Sequence, residues 1–331
     1  MKYREEKTMD VNYVPWKICS LGQLSILLEV SSPKPGNVNR MQSFSDTSYR
    51  HFLASASLFN KGLFDSSTIG WRLGLNEIDA DQVYLGRLIH QSAEQVFGGP
   101  NFSNTIMGTI LLYIPLSVAI SATISESEIF NARPAQSWIK EIIDSTTVED
   151  TLQVYHALNR IHHSGEEHKS TARWNEFHSR FDIDNPNVFD NIRKDQIALG
   201  DLFKSSAKVD SICEEWSNYF NLILNEILPK LETHSSNLDD IEEAIVKTYI
   251  WLLAKKPDGL IIKKAGLETA KKIQELAQSL LAEREELELT YAINSLDSIL
   301  RRHGNLMNPG STADFLSAGI FCKLVQDVFS S

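Results

Sequence analysis

Apolar residues recur three and four positions apart along almost the whole chain, and no stretch sustains apolar–polar alternation. The first spacing lines one face of a helix, whereas a half-buried strand needs a period of two. The spacing predicts helices near 16–31, 46–62, 77–97, 103–125, 147–163, 187–204, 208–233, 238–254, 260–284, 288–302 and 310–329. The expected fold class is all-α. We read one large multi-helix, bundle-like domain over 16–331, preceded by a short extension over 1–15. Two segments interrupt the pattern. Residues 163–187 are polar, rich in His and Asp, and hold Pro186, so they read as a surface loop or lid. Residues 126–136, with Pro134, read as a shorter connection.

Composition narrows the function classes. The 32 basic and 43 acidic residues leave a net charge of −11. A nucleic-acid binder needs a basic surface to displace counterions, so none is expected as partner. Three cysteines, Cys19, Cys213 and Cys322, are widely separated, which points to a reducing, cytoplasmic setting. The charged start, Met1 to Asp10, lacks the apolar run of a signal peptide. The most apolar stretch, Ile110 to Ile120, is about half of the ~20 residues that cross a bilayer, so no membrane partner is expected. A homodimer is left open.

An all-helical enzyme builds its site from helix ends and from polar residues set on apolar stripes. Four places fit. The first is Glu29 to Arg40, where two prolines flank Lys34 and Gly36 permits a turn before Asn37. Glu29 shares a face with the small residues Gly22 and Ser25. This loop reads equally as a helix stop or as a phosphate clamp. The second is the Gly98-Gly99-Pro100 turn leading through Asn104 and Thr105 to Gly108. Free N–H groups at such a helix start suit an anion, although a plain helix cap is the preferred reading of this segment alone. The third is Pro257-Asp258-Gly259 with Lys263 and Lys264. Asp258 reads as an N-cap, Lys263 as inward-facing, and Lys264 as solvated. The fourth runs from Arg301 through Asn308, Gly310 and Ser311 to Asp314. Asp314 is in register with Ala318, Phe321 and Val325, which places a carboxylate on a buried stripe. Such a group needs a cation or several donors. His156, His162, His163 and His168 read as surface histidines, since no HExxH frame or carboxylate at ligand spacing accompanies them.

In this order the segments resemble the triphosphoribosyl-dephospho-CoA synthase family. The specific blocks are Pro33-Lys34-Pro35-Gly36 and Pro309-Gly310-Ser311-Thr312-Ala313-Asp314. Phe52 to Ala56, Asn104 to Gly108 and Asp258 to Gly266 support them. The resemblance runs from about residue 20 to the end and is weakest over 126–200. It implies an all-helical enzyme in which ATP loses adenine and passes its triphosphoribosyl group to the 2′-hydroxyl of dephospho-CoA. It also implies roles. Lys34, Gly36, Asn37, Arg40, Asn104, Thr105, Lys263, Arg301, Asn308, Gly310 and Ser311 would bind nucleotide or phosphate. Glu29 and Asp258 would hold, directly or through water, the Mg²⁺ brought in with ATP. Asp314, assisted by Glu29, would serve as base or stabiliser of positive charge on the ribose.

Two positions depart from the citrate-lyase-associated pattern. Ile106 stands where those members usually carry His, and Asn39 stands where they tend to carry Asp. This form is more similar to a divergent, archaeal-type branch, and Asn39 is where a changed acceptor is expected. Two further readings remain at this point: a nucleotide-dependent transferase or hydrolase of a pterin-type pathway, and a non-enzymatic acidic helical protein that binds a partner.

Overall fold

The computed structural model describes residues 13–98, 105–162, 176–235, 241–282 and 286–330. The first half forms α1 (Tyr13–Ser31), α2 (Tyr49–Leu58), α3 (Asn60–Gly74), α4 (Leu85–Phe97), α5 (Met107–Ser127), α6 (Ala132–Asp144) and α7 (Val148–His162). Short helices follow: α8 (Glu176–Arg180), α9 (Val188–Asp195), α10 (Leu199–Ser206), α11 (Ser211–Ser217) and α12 (Leu228–His234). The chain continues through α13 (Ile241–Lys255), α14 (Gly259–Ala265), α15 (Leu267–Ala282), α16 (Glu286–Arg301) and α17 (Gly310–Phe329). No strand occurs among the described residues, so the all-α expectation holds.

The apolar stretch of the sequence becomes the axis of the core. In α5 every residue from Thr109 to Ile124 is buried, and α1, α3, α4, α6 and α17 pack around it. A helix apolar on all sides is stable only when surrounded in this way. At 21 residues α5 is long enough to cross a membrane, well beyond the half-span expected, but 89% of its most apolar window is buried inside the fold.

Two helices lie where sequence spacing did not place them. Most of α3 falls outside the expected 46–62 segment because Gly62, Gly70, Gly74 and a Ser66-Ser67-Thr68 run dilute its stripe. The three hydroxyls fold back onto carbonyls four residues earlier, at 2.7, 2.7 and 2.8 Å. A Cβ at Gly70 would overlap the Val118 carbonyl, so the glycine is what lets α3 and α5 approach. The second helix, α6, begins inside the expected 126–136 connection, at Ala132, and runs on to Asp144. Pro134 sits in its first turn, where no intrahelical acceptor is required, and Asn131 caps it by accepting from Arg133 N at 3.0 Å.

Three expected helices are each divided. Gln196 (φ 51°) separates α9 from α10, and Gly266 (φ 86°) separates α14 from α15. Tyr219 and Phe220 (φ 51° and 60°) break the 208–233 segment. There the buried Glu215 accepts from Ile223 N at 2.9 Å. Periodicity runs through each break because both pieces face the same core. Of the expected loop or lid, 163–175 lies outside the described residues, as do His163 and His168. Its remainder is anchored: Phe181 is buried, Tyr155 Oη donates to its carbonyl, and Arg180 pairs with Asp195. Residues 176–187 are thus a folded connection.

Candidate active site

Four helix ends converge on one place: the C-terminus of α1 and the N-termini of α5, α14 and α17. The end of α16 closes one side. Each end brings unpaired backbone groups, and the side chains there are spent largely on satisfying them.

The loop after α1 is held from three directions. Gly36 takes φ +71°, and a Cβ there would overlap Leu300 of α16, so this position needs glycine on both counts. Gly36 N donates to Asp297 Oδ1 at 2.7 Å. The same oxygen accepts from Arg301 Nε at 2.8 Å, and Arg301 Nη2 donates to the Asn37 carbonyl. Tyr249 Oη donates to the Pro35 carbonyl at 3.2 Å, and Asn37 Nδ2 to the Pro309 carbonyl at 3.4 Å. The Pro33–Asn37 and Pro309–Asp314 blocks, far apart in sequence, are therefore in direct contact.

Lys34 points inward. Its ammonium donates to the carbonyls of Glu29 and Ser32 and lies 3.0 Å from Glu29 Oε1, with Lys34 at 0% and Glu29 at 5% exposure. A cation on the last carbonyls of a helix also meets the negative end of its dipole. Burial pushes the Glu29 pKa up and the Lys34 pKa down, and the pairing opposes both shifts. Lys34 in this arrangement caps α1 and neutralises Glu29. The cation of this wall with spare donor capacity is Arg301. Its Nη1 is buried without a partner among the described residues, and its guanidinium lies 5.1 Å from the Phe44 ring centre. Asn308 Oδ1 is likewise buried and unpartnered.

Asp258 joins two helix starts. Oδ1 accepts from Ile261 N at 2.9 Å, capping α14, and Oδ2 accepts from Thr312 N and Oγ1 at 2.7 and 2.8 Å, capping α17. Burial raises its pKa, against the pull of these donors. The two functions that the sequence left open for Asp258 separate here: both oxygens serve as caps. Among the described residues no group of three His, Cys, Asp or Glu side chains is arranged to hold a metal. The donors present do not fit a resident Mg²⁺ held directly by Glu29 and Asp258, because one is paired with lysine and the other is filled by N–H and O–H groups.

Asp314 reaches from the second turn of α17 to the first turn of α5. Oδ1 accepts from Thr109 Oγ1 at 2.6 Å. A Cβ at Gly108 would overlap Oδ2, so glycine opens the notch that the carboxylate fills. Burial pushes its pKa up to about 7; the Thr109 hydrogen bond opposes this, while the charges of Glu29 and Asp258 add to it. A carboxylate that titrates near neutrality can both hold and release a proton under ordinary conditions.

The other expected residues are distributed unevenly. Thr105 Oγ1 lies 2.6 Å from Ser55 Oγ beside the start of α5. Gly310 packs against Leu260, and Ser311 stands beside Gly259. Asn104 falls outside the described residues. Arg40 is directed to the surface, where both Nη atoms engage Glu242. Lys263 is exposed and pairs with Asp210, while Lys264 is the half-buried one, 3.3 Å from Asn305 Oδ1. The expected inward and outward assignments of these two lysines are thus reversed, since α14 is too short to continue the stripe of α15. Asn39 is buried and its Oδ1 accepts from Met41 N and Gln42 N at 2.9 and 3.0 Å, so it builds its own turn. His156 is exposed and stacks on Phe189 at 4.7 Å, a surface histidine as expected.

Thr109, Tyr249, Asp297 and Thr312 do not stand out in the sequence. Asp297 carries a usable signal, four residues before Arg301 on one helix. Thr109 follows the glycine that admits Asp314. Tyr249 carries none, because its partner is distant in sequence; Thr312 lies in the Pro309–Asp314 block, but its bond to Asp258 is not legible there.

Comparison with known proteins adds an independent line. The sequence profile of the family described as ATP:dephospho-CoA triphosphoribosyl transferase matches residues 15–331. Two Vibrio cholerae proteins, from strains M66-2 and El Tor Inaba N16961, are assigned as 2-(5''-triphosphoribosyl)-3'-dephosphocoenzyme-A synthases. Each is 31% identical over 109 residues, 32% of this chain and 34% of theirs. The match thus spans about a third of the length of these curated relatives. A crystal structure from Archaeoglobus fulgidus, of a protein assigned as a triphosphoribosyl-dephospho-CoA synthase, aligns with a TM-score of 0.54 at 21% identity. The alignment covers 83% of this chain and 98% of that one, which is a likeness of fold.

Proposed function

From membership of the ATP:dephospho-CoA triphosphoribosyl transferase family, to which this chain belongs, we propose that it moves the 5-triphosphoribosyl group of ATP to the 2′-hydroxyl of dephospho-CoA with release of adenine. The observation that carries this reading is Asp314, a carboxylate with pKa near 7 set where four helix ends meet.

In the proposed step the bond from ribose C1′ to adenine N9 breaks, and adenine leaves with the electron pair and takes up a proton. The 2′-oxygen of the acceptor forms the new bond to C1′, and its proton passes to Asp314. As the old bond stretches ahead of the new one, positive charge grows on C1′ and the ring oxygen, by analogy with glycoside chemistry. Asp314 supplies negative charge in a poorly solvated place, where it counts for more than in water, and the Glu29–Lys34 pair lies behind it. Arg301 Nη1 supplies a donor for the triphosphate. Mg²⁺ enters as part of the substrate, bound to the phosphates, where it neutralises their charge. Lys34 acts from behind, pairing with Glu29 and holding the end of α1 to the loop. The described cysteines are all unpaired, which supports a reducing compartment.

The test is direct. The purified protein is incubated with ATP, Mg²⁺ and dephospho-CoA, and adenine is followed by chromatography with the product mass. Stoichiometric adenine and a triphosphoribosyl adduct are expected. ATP left intact in the presence of acceptor would remove the donor assignment. Adenine formed only with a different acceptor, a pterin precursor among them, would reassign the pathway.

A further inference from the structure

The contact between Asp314 and the first turn of α5 points to a residue with no role in the transferase reading so far, though its proposed role rests on that reading. Thr109 is buried, its hydroxyl donates to Asp314 Oδ1 at 2.6 Å, and its neighbour Gly108 has no Cβ to collide with Oδ2. Among the described residues α5 has no cap of its own: Ile106, its N-cap residue, makes no side-chain bond to the helix. The carboxylate that meets this start therefore comes from another helix, and only where Gly108 leaves room.

We infer that Thr109 is a positioning residue for the reaction: it holds one oxygen of Asp314 so that the other, lying over Gly108, is presented to the acceptor hydroxyl. The geometry has two consequences. A carboxylate with one oxygen pinned cannot turn about its last bond, so the accepting oxygen keeps a fixed direction. Donation from Thr109 also favours the ionised form, against burial and against the nearby charges of Glu29 on α1 and Asp258 before α14. Lys34 is engaged with Glu29 and leaves that balance to Thr109. Thr109 touches neither substrate; it acts through Asp314.

The experiment uses the full chain with Thr109→Val, nearly isosteric, and Thr109→Ser, which keeps the hydroxyl. The first measurement is the titration of the Asp314 carboxyl by carbon NMR, assigned with Asp314→Asn, and it needs no turnover. The second is kcat/KM for adenine release against pH. With valine the carboxyl is expected to titrate about one unit higher, the scale of one lost hydrogen bond. The acid limb of the rate profile moves with it, so the rate falls about tenfold at pH 6 and recovers to within about twofold at pH 9. Serine restores both. An unmoved carboxyl in Thr109→Val overturns the inference, as does an equal loss of rate at every pH with no change in the limb. A carboxyl that moves in a protein whose wild type releases no adenine overturns the transferase reading alone. Gly108→Ala gives a second check: a Cβ over Oδ2 should displace the carboxylate and abolish the rate while the helical circular dichroism stays. Full activity in Gly108→Ala would count against the notch.

Discussion

Lys34 lies beneath the end of α1 with its ammonium 3.0 Å from Glu29 Oε1, and both side chains are buried. Removing one partner leaves the other charge buried without compensation. Lys34→Ala should destabilise the fold by about 3–5 kcal/mol, the usual range for a broken buried pair. The double variant Lys34→Met, Glu29→Gln should cost less than Lys34→Ala alone, because no buried charge remains. Urea unfolding followed by circular dichroism measures both. A loss under about 1 kcal/mol for Lys34→Ala would mean that the pair does not hold this end of α1.

Asp314→Asn should lower adenine release by ~10²-fold or more, the scale of a positioned acid–base group. The amide keeps the shape and can still accept from Thr109. Thermal melting beside steady-state rates checks that the loss is chemical. Turnover close to wild type in a folded Asp314→Asn protein would end its assignment as base.

The raised pKa of Asp314 also predicts how stability depends on pH. The folded state holds a proton on Asp314 up to about pH 7, whereas an unfolded chain releases it near the ordinary value, 3.8. Between these values the native state binds more protons, so this group's contribution falls as pH rises from about 4 to 7 and is level above. Asp314→Asn removes that slope. The stability difference, variant minus wild type, should therefore grow in favour of the variant across this window. Denaturation midpoints at half-unit pH steps would show it, and a constant difference would contradict the raised pKa.

Asp258 caps two helices with one carboxylate. Asp258→Ala should cost about 2–4 kcal/mol, two caps at about 1–2 kcal/mol each. Asp258→Asn should cost less, since its amide oxygen can serve one start. The thermal stabilisation given by Mg²⁺ with ATP should persist in Asp258→Asn. Its selective loss, with ATP binding intact, would restore a metal role to this residue.

Gly36→Ala should destabilise by about 2 kcal/mol or more. A left-handed backbone costs a non-glycine residue roughly 1–2 kcal/mol, and overlap with Leu300 adds to it. Because this loop also carries Asn37 and abuts Pro309, the KM for ATP should rise with it. An unchanged unfolding midpoint would mean that the loop relaxes without strain.

Legibility in the sequence varies from residue to residue. The stripe carrying Asp314, Ala318, Phe321 and Val325 places a carboxylate against the core, and it lies there. Glu29 shares its predicted face with Gly22 and Ser25, and all three are buried. Lys34 reads as a clamp or a stop because prolines stiffen its loop; nothing in that local pattern says that its ammonium turns back onto α1. Asn39 reads as a variable of the acceptor and instead closes its own turn. Lys263 and Lys264 exchange places because the break at Gly266 resets the helical phase.

By itself, the sequence determined the helical class, the burial of α5 and the short blocks that build the site, because period, turn chemistry and apolar burial are properties of neighbouring residues. Only the tertiary structure decided that Asp258 caps two helices, that Arg301 rather than Lys34 keeps an open donor, and that Thr109 holds Asp314. Those facts depend on which helix ends meet, and that is settled by close approaches such as Gly36 to Leu300, Gly70 to Val118 and Gly108 to Asp314. Each joins residues far apart in the chain, where a local pattern carries no record of the partner.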